Sequence, residues 1–115
     1  MSLTLYHNPR CSKSRQTLEL LQAQGLQPVI IEYLKTPPDT ATLTKLLGAL
    51  NTGIDSLMRR GEADYIAAQA ELAGMADQEK LAWLARHPQV LQRPIVVHAG
   101  AARIGRPPES VLDIL

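Results

Sequence analysis

The chain has 115 residues, 45% of them hydrophobic and 20% charged, with a net charge of +1. That balance excludes the low-apolar, high-charge composition of disordered chains and the basic excess of nucleic-acid binders. The single cysteine excludes an internal disulfide and a cysteine-based zinc site, and no apolar run approaches the roughly 18–20 residues of a membrane span.

Residues 2–6, Ser-Leu-Thr-Leu-Tyr, alternate and predict a first strand. His7-Asn8-Pro9 ends it. Leu18 and Leu21 then recur at helical spacing up to Gly25, which predicts a helix of about 12–14 residues starting near Cys11 or Ser12. Residues 28–34 predict a mostly buried second strand. A connection of that length makes the two strands parallel. Asp39 or Thr40 caps the next helix, whose apolar stripe is Leu43, Leu46, Leu47 and Leu50. Three shorter helical pieces follow, at about 54–60, 63–73 and 77–87, the last capped by Asp77. Residues 95–98 and 101–104 predict two strands around a turn at Ala99-Gly100. Pro107 and Pro108 open a last short helix.

This order predicts an α/β fold of thioredoxin-like type. It has a four-stranded mixed sheet, flanking helices and a helical insertion at about 39–88 between the second and third strands. The length predicts one domain, 1–115. With one cysteine and no signal-peptide pattern at the N-terminus, a cytoplasmic protein is expected.

The charges are segregated. Residues 1–18 hold Arg10, Lys13 and Arg15 and no acid, and residues 80–108 hold Lys80, Arg86, Arg93, Arg103 and Arg106 and no acid. All eleven acids lie elsewhere. Two windows of mostly arginine, brought together, suit a small anion.

Cys11 carries the chemistry. A lone cysteine is most often a small buried hydrophobe. This one follows a strand, precedes a helix and has three basic neighbours and no carboxylate before Glu19. Helix N–H groups and nearby cations stabilise a thiolate, which is the nucleophilic form. Cys11-Ser12-Lys13-Ser14 is Cys-x-x-Ser, so any disulfide must form with another molecule. A tyrosine-phosphatase loop would need arginine at position 17, where the chain has Thr17. Ser14 lies one turn along, either as a donor to the thiolate or as an ordinary first-turn serine. In a thioredoxin-like fold Arg93-Pro94 faces the cysteine across a cis bond. Arg106-Pro107 lies at the start of the last helix. Guanidinium groups bind tetrahedral oxyanions in two-pronged fashion.

The segments Tyr6-His7-Asn8-Pro9-Arg10-Cys11-Ser12-Lys13-Ser14-Arg15, Arg93-Pro94-Ile95-Val96-Val97 and Arg103-Ile104-Gly105-Arg106-Pro107 resemble the glutaredoxin- and glutathione-dependent arsenate reductase family. The closest likeness is to its short YfgD-like branch. The resemblance also covers Leu57-Met58-Arg59 and Val111-Leu112-Asp113-Ile114-Leu115. It departs at Ser12-Lys13, where the well-studied reductases have Gly-Thr. It implies reduction of arsenate to arsenite through a Cys11 adduct, with His7 and Ser14 depressing the thiol pKa. Arg59, Arg93 and Arg106 would bind the oxyanion, with Arg60 adjacent to Arg59 as the alternative register. No cofactor is bound in the chain itself; glutathione and glutaredoxin are the external reductants, and neither nucleic acid nor membrane is a partner. Two other readings share the pattern: an Spx-like regulator that binds RNA polymerase, and a general glutathione-dependent thiol reductase. Typical Spx proteins carry Cys-x-x-Cys, against Ser14 here.

Overall fold

A computed structural model describes residues 3–115, so Ser2 of the expected first strand lies outside the described residues. The chain divides into two compact units. One comprises the segment through Thr36 together with Arg93–Leu115, and the other comprises Pro37–Gln92.

The first unit holds the sheet. Strand β1 spans Leu3–His7, β2 Val29–Glu32, β3 Ile95–His98 and β4 Ala101–Ile104, in the order β2-β1-β3-β4. β1 runs parallel to β2 and antiparallel to β3, and β3 pairs antiparallel with β4. The mixed four-stranded sheet expected from the element order is therefore present. Helix α1, Ser12–Ala23, makes the crossover between the parallel pair. It ends in a Schellman motif: Gly25 adopts φ 76°, its N–H donates to the Gln22 carbonyl, and the Leu26 N–H donates to the Leu21 carbonyl. Leu26 then packs on the buried cluster of Leu3, Leu5, Leu21, Val96 and Val111. The chain closes with a 3-10 turn at Pro108–Ile114, against α1 and β4. His98 Nδ1 lies 2.6 Å from the Ile114 carbonyl oxygen and ties that turn to β3.

The expected burial of the second strand is corrected. Only Val29–Glu32 form β2, and Val29 and Ile30 are 59% and 46% exposed. A run of apolar residues predicts a covered strand, but β2 pairs with β1 alone and stands at the sheet edge.

The second unit is helical. Its helices are α2, Thr40–Leu50, α3, Ala63–Ala73, and α4, Asp77–Arg86, with one 3-10 turn at Ile54–Leu57 between α2 and α3 and another at Pro88–Val90 after α4. Asp39 caps α2 by accepting the Thr42 N–H at 2.8 Å, and Leu43, Leu46 and Leu50 are buried along its stripe. The expected piece at 54–60 shortens to one 3-10 turn, and α4 is capped differently from expectation. Its N-cap is Ala76, whose N–H donates to the Glu79 carboxylate at 3.0 Å, while Asp77 is the first helical residue. The ends of the unit meet where the Arg59 N–H donates to the Val90 carbonyl at 2.7 Å and the Gln92 N–H to the Leu57 carbonyl at 2.6 Å. Among the described residues no helix is long and apolar enough to cross a membrane.

Candidate active site

The loop between β1 and α1 is built around Asn8. Its side-chain oxygen accepts the Arg10 N–H at 3.0 Å and its carbonyl accepts the Cys11 N–H at 3.0 Å. Its own N–H donates to Ser14 Oγ at 3.0 Å. These bonds fold the segment back on itself, as Asx turns do, and deliver Cys11 to the N-cap of α1 with extended backbone, φ −90° and ψ 123°. At an N-cap the free N–H groups of the first helical turn point at the side chain. Cys11 is partly exposed.

Burial pushes the Cys11 thiol up, but stronger combined forces lower it below the ordinary cysteine value. They are the backbone N–H groups of Ser14 and Lys13, a hydrogen bond from the Arg93 side chain, and the Arg106 charge. Arg106 Nη2 lies 3.6 Å from Cys11 Sγ, and Arg106 Nε donates to the Arg93 carbonyl at 2.8 Å. The second bond fixes the fork of the guanidinium. The Arg93–Pro94 peptide is cis, as the fold implies, and so is Arg106–Pro107.

Beneath the thiol, Ser14 is fully buried, and His7 Nδ1 lies 2.6 Å from its Oγ. The Ser14 hydroxyl therefore serves His7 and Asn8, and it is the Ser14 backbone N–H that helps lower the thiol pKa. His7 is held below the ordinary histidine value by burial; Glu32 opposes that and Arg15 reinforces it. Glu32 pairs with His7 across the parallel β1–β2 register. Arg15 donates to the Pro9 carbonyl at 2.9 Å and braces the loop from outside.

Cys11, His7, Ser14, Arg93 and Arg106 thus come together in the first unit. Arg59 lies in the second unit with its guanidinium 3.4 Å from Glu62, and Arg60 is exposed. Among the described residues, no group of three or more His, Cys, Asp or Glu side chains could hold a metal ion. The site can offer an activated thiol beside fixed cations, a setting for attack on an electrophilic oxyanion.

Three contributors escape the sequence reading. Asn8 organises the loop, and the Asn-Pro pair was its only signal. Glu32 becomes a neighbour of His7 only through strand register. Gly105 is buried where β4 ends, and a Cβ there would stand 2.5 Å from Thr17 Oγ1 and 2.7 Å from Pro94 Cγ. That close approach lets the segment carrying Arg106 lie against both α1 and the Arg93–Pro94 turn.

Comparison with known proteins points one way. The sequence pattern of the ArsC family matches residues 6–114. The uncharacterised protein YfgD of Escherichia coli strain K12 is 46% identical over 114 residues, covering 96% of this chain and 94% of its own. An arsenate reductase of Haemophilus influenzae is 39% identical over 118 residues, covering 100% of each chain. A solved arsenate reductase from Vibrio cholerae is similar with a TM-score of 0.95 at 45% identity, covering 100% of this chain and 98% of its own.

Proposed function

The chain belongs to the ArsC family, and on that premise we propose a thiol-dependent, arsenate reductase-like oxidoreductase with Cys11 as its nucleophile. The observation that carries this reading is the Arg106 guanidinium 3.6 Å from Cys11 Sγ at the start of α1. One set of charges stabilises the thiolate and receives the anion.

The Cys11 thiolate attacks the arsenic of arsenate. A sulfur–arsenic bond forms, an arsenic–oxygen bond breaks, and the oxygen departs as water or hydroxide. Arg93 and Arg106 neutralise the arsenate charge and the charge that builds on the departing oxygen. His7 and Ser14 shape the floor under the thiol and help depress its pKa. For Arg59 as a further oxyanion ligand, the support is the family resemblance alone.

The chain has one cysteine, so the second electron-donating sulfur comes from another molecule. Glutathione attacks the adduct, and arsenic(V) takes up two electrons and leaves as arsenite. The two sulfurs are left as a Cys11–glutathione disulfide, which glutaredoxin reduces. A cytoplasmic setting fits a lone cysteine that must return to the thiol form after each cycle.

A coupled assay tests the reading. With arsenate, glutathione, glutaredoxin, glutathione reductase and NADPH, the protein consumes NADPH and forms arsenite in equal amounts. Cys11→Ser abolishes both while circular dichroism stays unchanged. Consumption of NADPH without arsenite, or undiminished activity of Cys11→Ser, would refute it.

A further inference from the structure

The loop that presents Cys11 has a second side. A groove of about 350 Å³ lies against it, walled by residues 7–10 and by Glu32, Leu34 and Lys35. Its volume falls in the range of about 300–1,000 Å³ typical of small-ligand sites. Cys11, Arg93 and Arg106 do not line it, so the groove is distinct from the anion site.

Its charges are few and loosely committed. Arg10 is exposed on one wall, and among the described residues its side chain has no carboxylate partner. Lys35 stands on the other wall, 3.6 Å from Glu32, in a pair whose side chains are 77% and 38% exposed. Such an exposed pair is weak and opens readily to another partner. Arg15, anchored on the Pro9 carbonyl, adds a further cation behind the loop. Leu34 gives the wall an exposed apolar element. The lining is thus two cations and one carboxylate around a short apolar contact, one residue from the nucleophile.

Glutathione carries the complementary set: two carboxylates, one ammonium group and a short methylene run between them. We propose that this groove seats glutathione, with Arg10 and Lys35 receiving its carboxylates and Glu32 its ammonium group. The proposal rests on the reading that an external thiol regenerates Cys11. It adds where that thiol docks: beside the loop, from the β2 side, rather than on the arginines that hold the oxyanion.

The test uses S-methylglutathione, whose capped sulfur cannot form a disulfide, titrated into the ¹⁵N-labelled full chain. Saturable shifts are expected at the amides of Asn8, Arg10 and residues 32–35. Arg10→Ala and Lys35→Ala should each weaken binding by about threefold to tenfold, between an exposed ion pair and a charge-assisted hydrogen bond. The diethyl ester of the same compound, which lacks both carboxylates, should leave the groove amides unmoved at the same concentrations. Absence of saturable shifts, or shifts centred on Arg93 and Arg106, overturns the proposal. The probe involves neither arsenate nor turnover, so the two readings fail separately. A protein that reduces arsenate but shows no groove shifts loses the docking site and keeps its function. One that binds the probe in the groove but leaves arsenate untouched loses the function and keeps the site.

Discussion

His7, bonded to Ser14 Oγ, and Arg106, 3.6 Å from Cys11 Sγ, each have a measurable signature. His7 is buried against Ser14, and burial is the main reason its proton affinity is low. The unfolded chain takes up a proton at this position near pH 6.5, while the native chain resists it. The unfolded state therefore binds more protons in that window, and acid favours unfolding. The contribution of His7 to stability is present above about pH 6.5 and is lost as pH falls below it. The urea midpoint of the wild type should fall between about pH 7.5 and about pH 5.5, and His7→Gln should flatten that slope. An identical slope in the variant would show that the acid sensitivity arises elsewhere. Arg106 is exposed, so its removal should leave the fold unchanged. Arg106→Ala should raise the Cys11 pKa and weaken oxyanion binding by about 1.5–3 kcal/mol, the worth of a hydrogen bond to a charged group. Calorimetry with sulfate or arsenate measures this. Arg86, exposed at the end of α4, is the control, and its replacement by Ala should change neither quantity. Equal losses in both variants would indicate a diffuse field and no defined site.

Among the elements, the junction at Gly105 and the β3–β4 turn respond in opposite directions to a single added group. Gly105→Ala forces a Cβ to within 3 Å of Thr17 Oγ1 and of the Pro94 ring. Overpacking of this kind costs about 1–3 kcal/mol, and here it also displaces the segment that carries Arg106. Thermal unfolding should show the loss, together with weaker anion binding. At the turn, Ala99 and Gly100 both occupy the left-handed region, with φ of 53° and 81°. Two-residue turns of this kind favour Asn-Gly, because Asn tolerates positive φ better than Ala. Ala99→Asn should therefore raise stability by about 0.5–1 kcal/mol, and a drop would contradict the turn geometry. The turn itself was legible in the sequence, as were the start of α1 at Ser12 and the cap at Asp39, since each depends on residues adjacent in the chain. The exposure of β2 was not. Val29, Ile30 and Ile31 look alike whether a strand lies at the centre or the edge of a sheet, and strand order is a long-range property. The N-cap of α4 was misplaced by one residue because the capping carboxylate, Glu79, reaches back from within the helix.

For the whole molecule, the segregation of charge along the chain acquires a meaning in the first unit. Arg10, Lys13 and Arg15 come from the first acid-free window and Arg93 and Arg106 from the second, and Arg106 approaches the cysteine of the first. The convergence of Arg93 and Arg106 on Cys11 was legible through the expected fold, the acid-free windows and the family resemblance, and not through local sequence. The 81 positions between Cys11 and Arg93, counted from their numbers, carry no local signal that the two meet. The element order predicted the sheet, because parallel strands require a crossover and antiparallel ones a tight turn. The hydrogen bonds of Asn8 and the proximity of Glu32 to His7 were beyond reach, since they depend on register and side-chain direction. We propose that these long-range arrangements make Cys11 an activated nucleophile inside an oxyanion site. The most direct test of that proposal is the rate of Cys11 alkylation by iodoacetamide across the pH range, with and without arsenate. The midpoint should lie below the free-cysteine value of about 8.5, and arsenate should slow the reaction. A midpoint at or above that value, with no protection by arsenate, would contradict it.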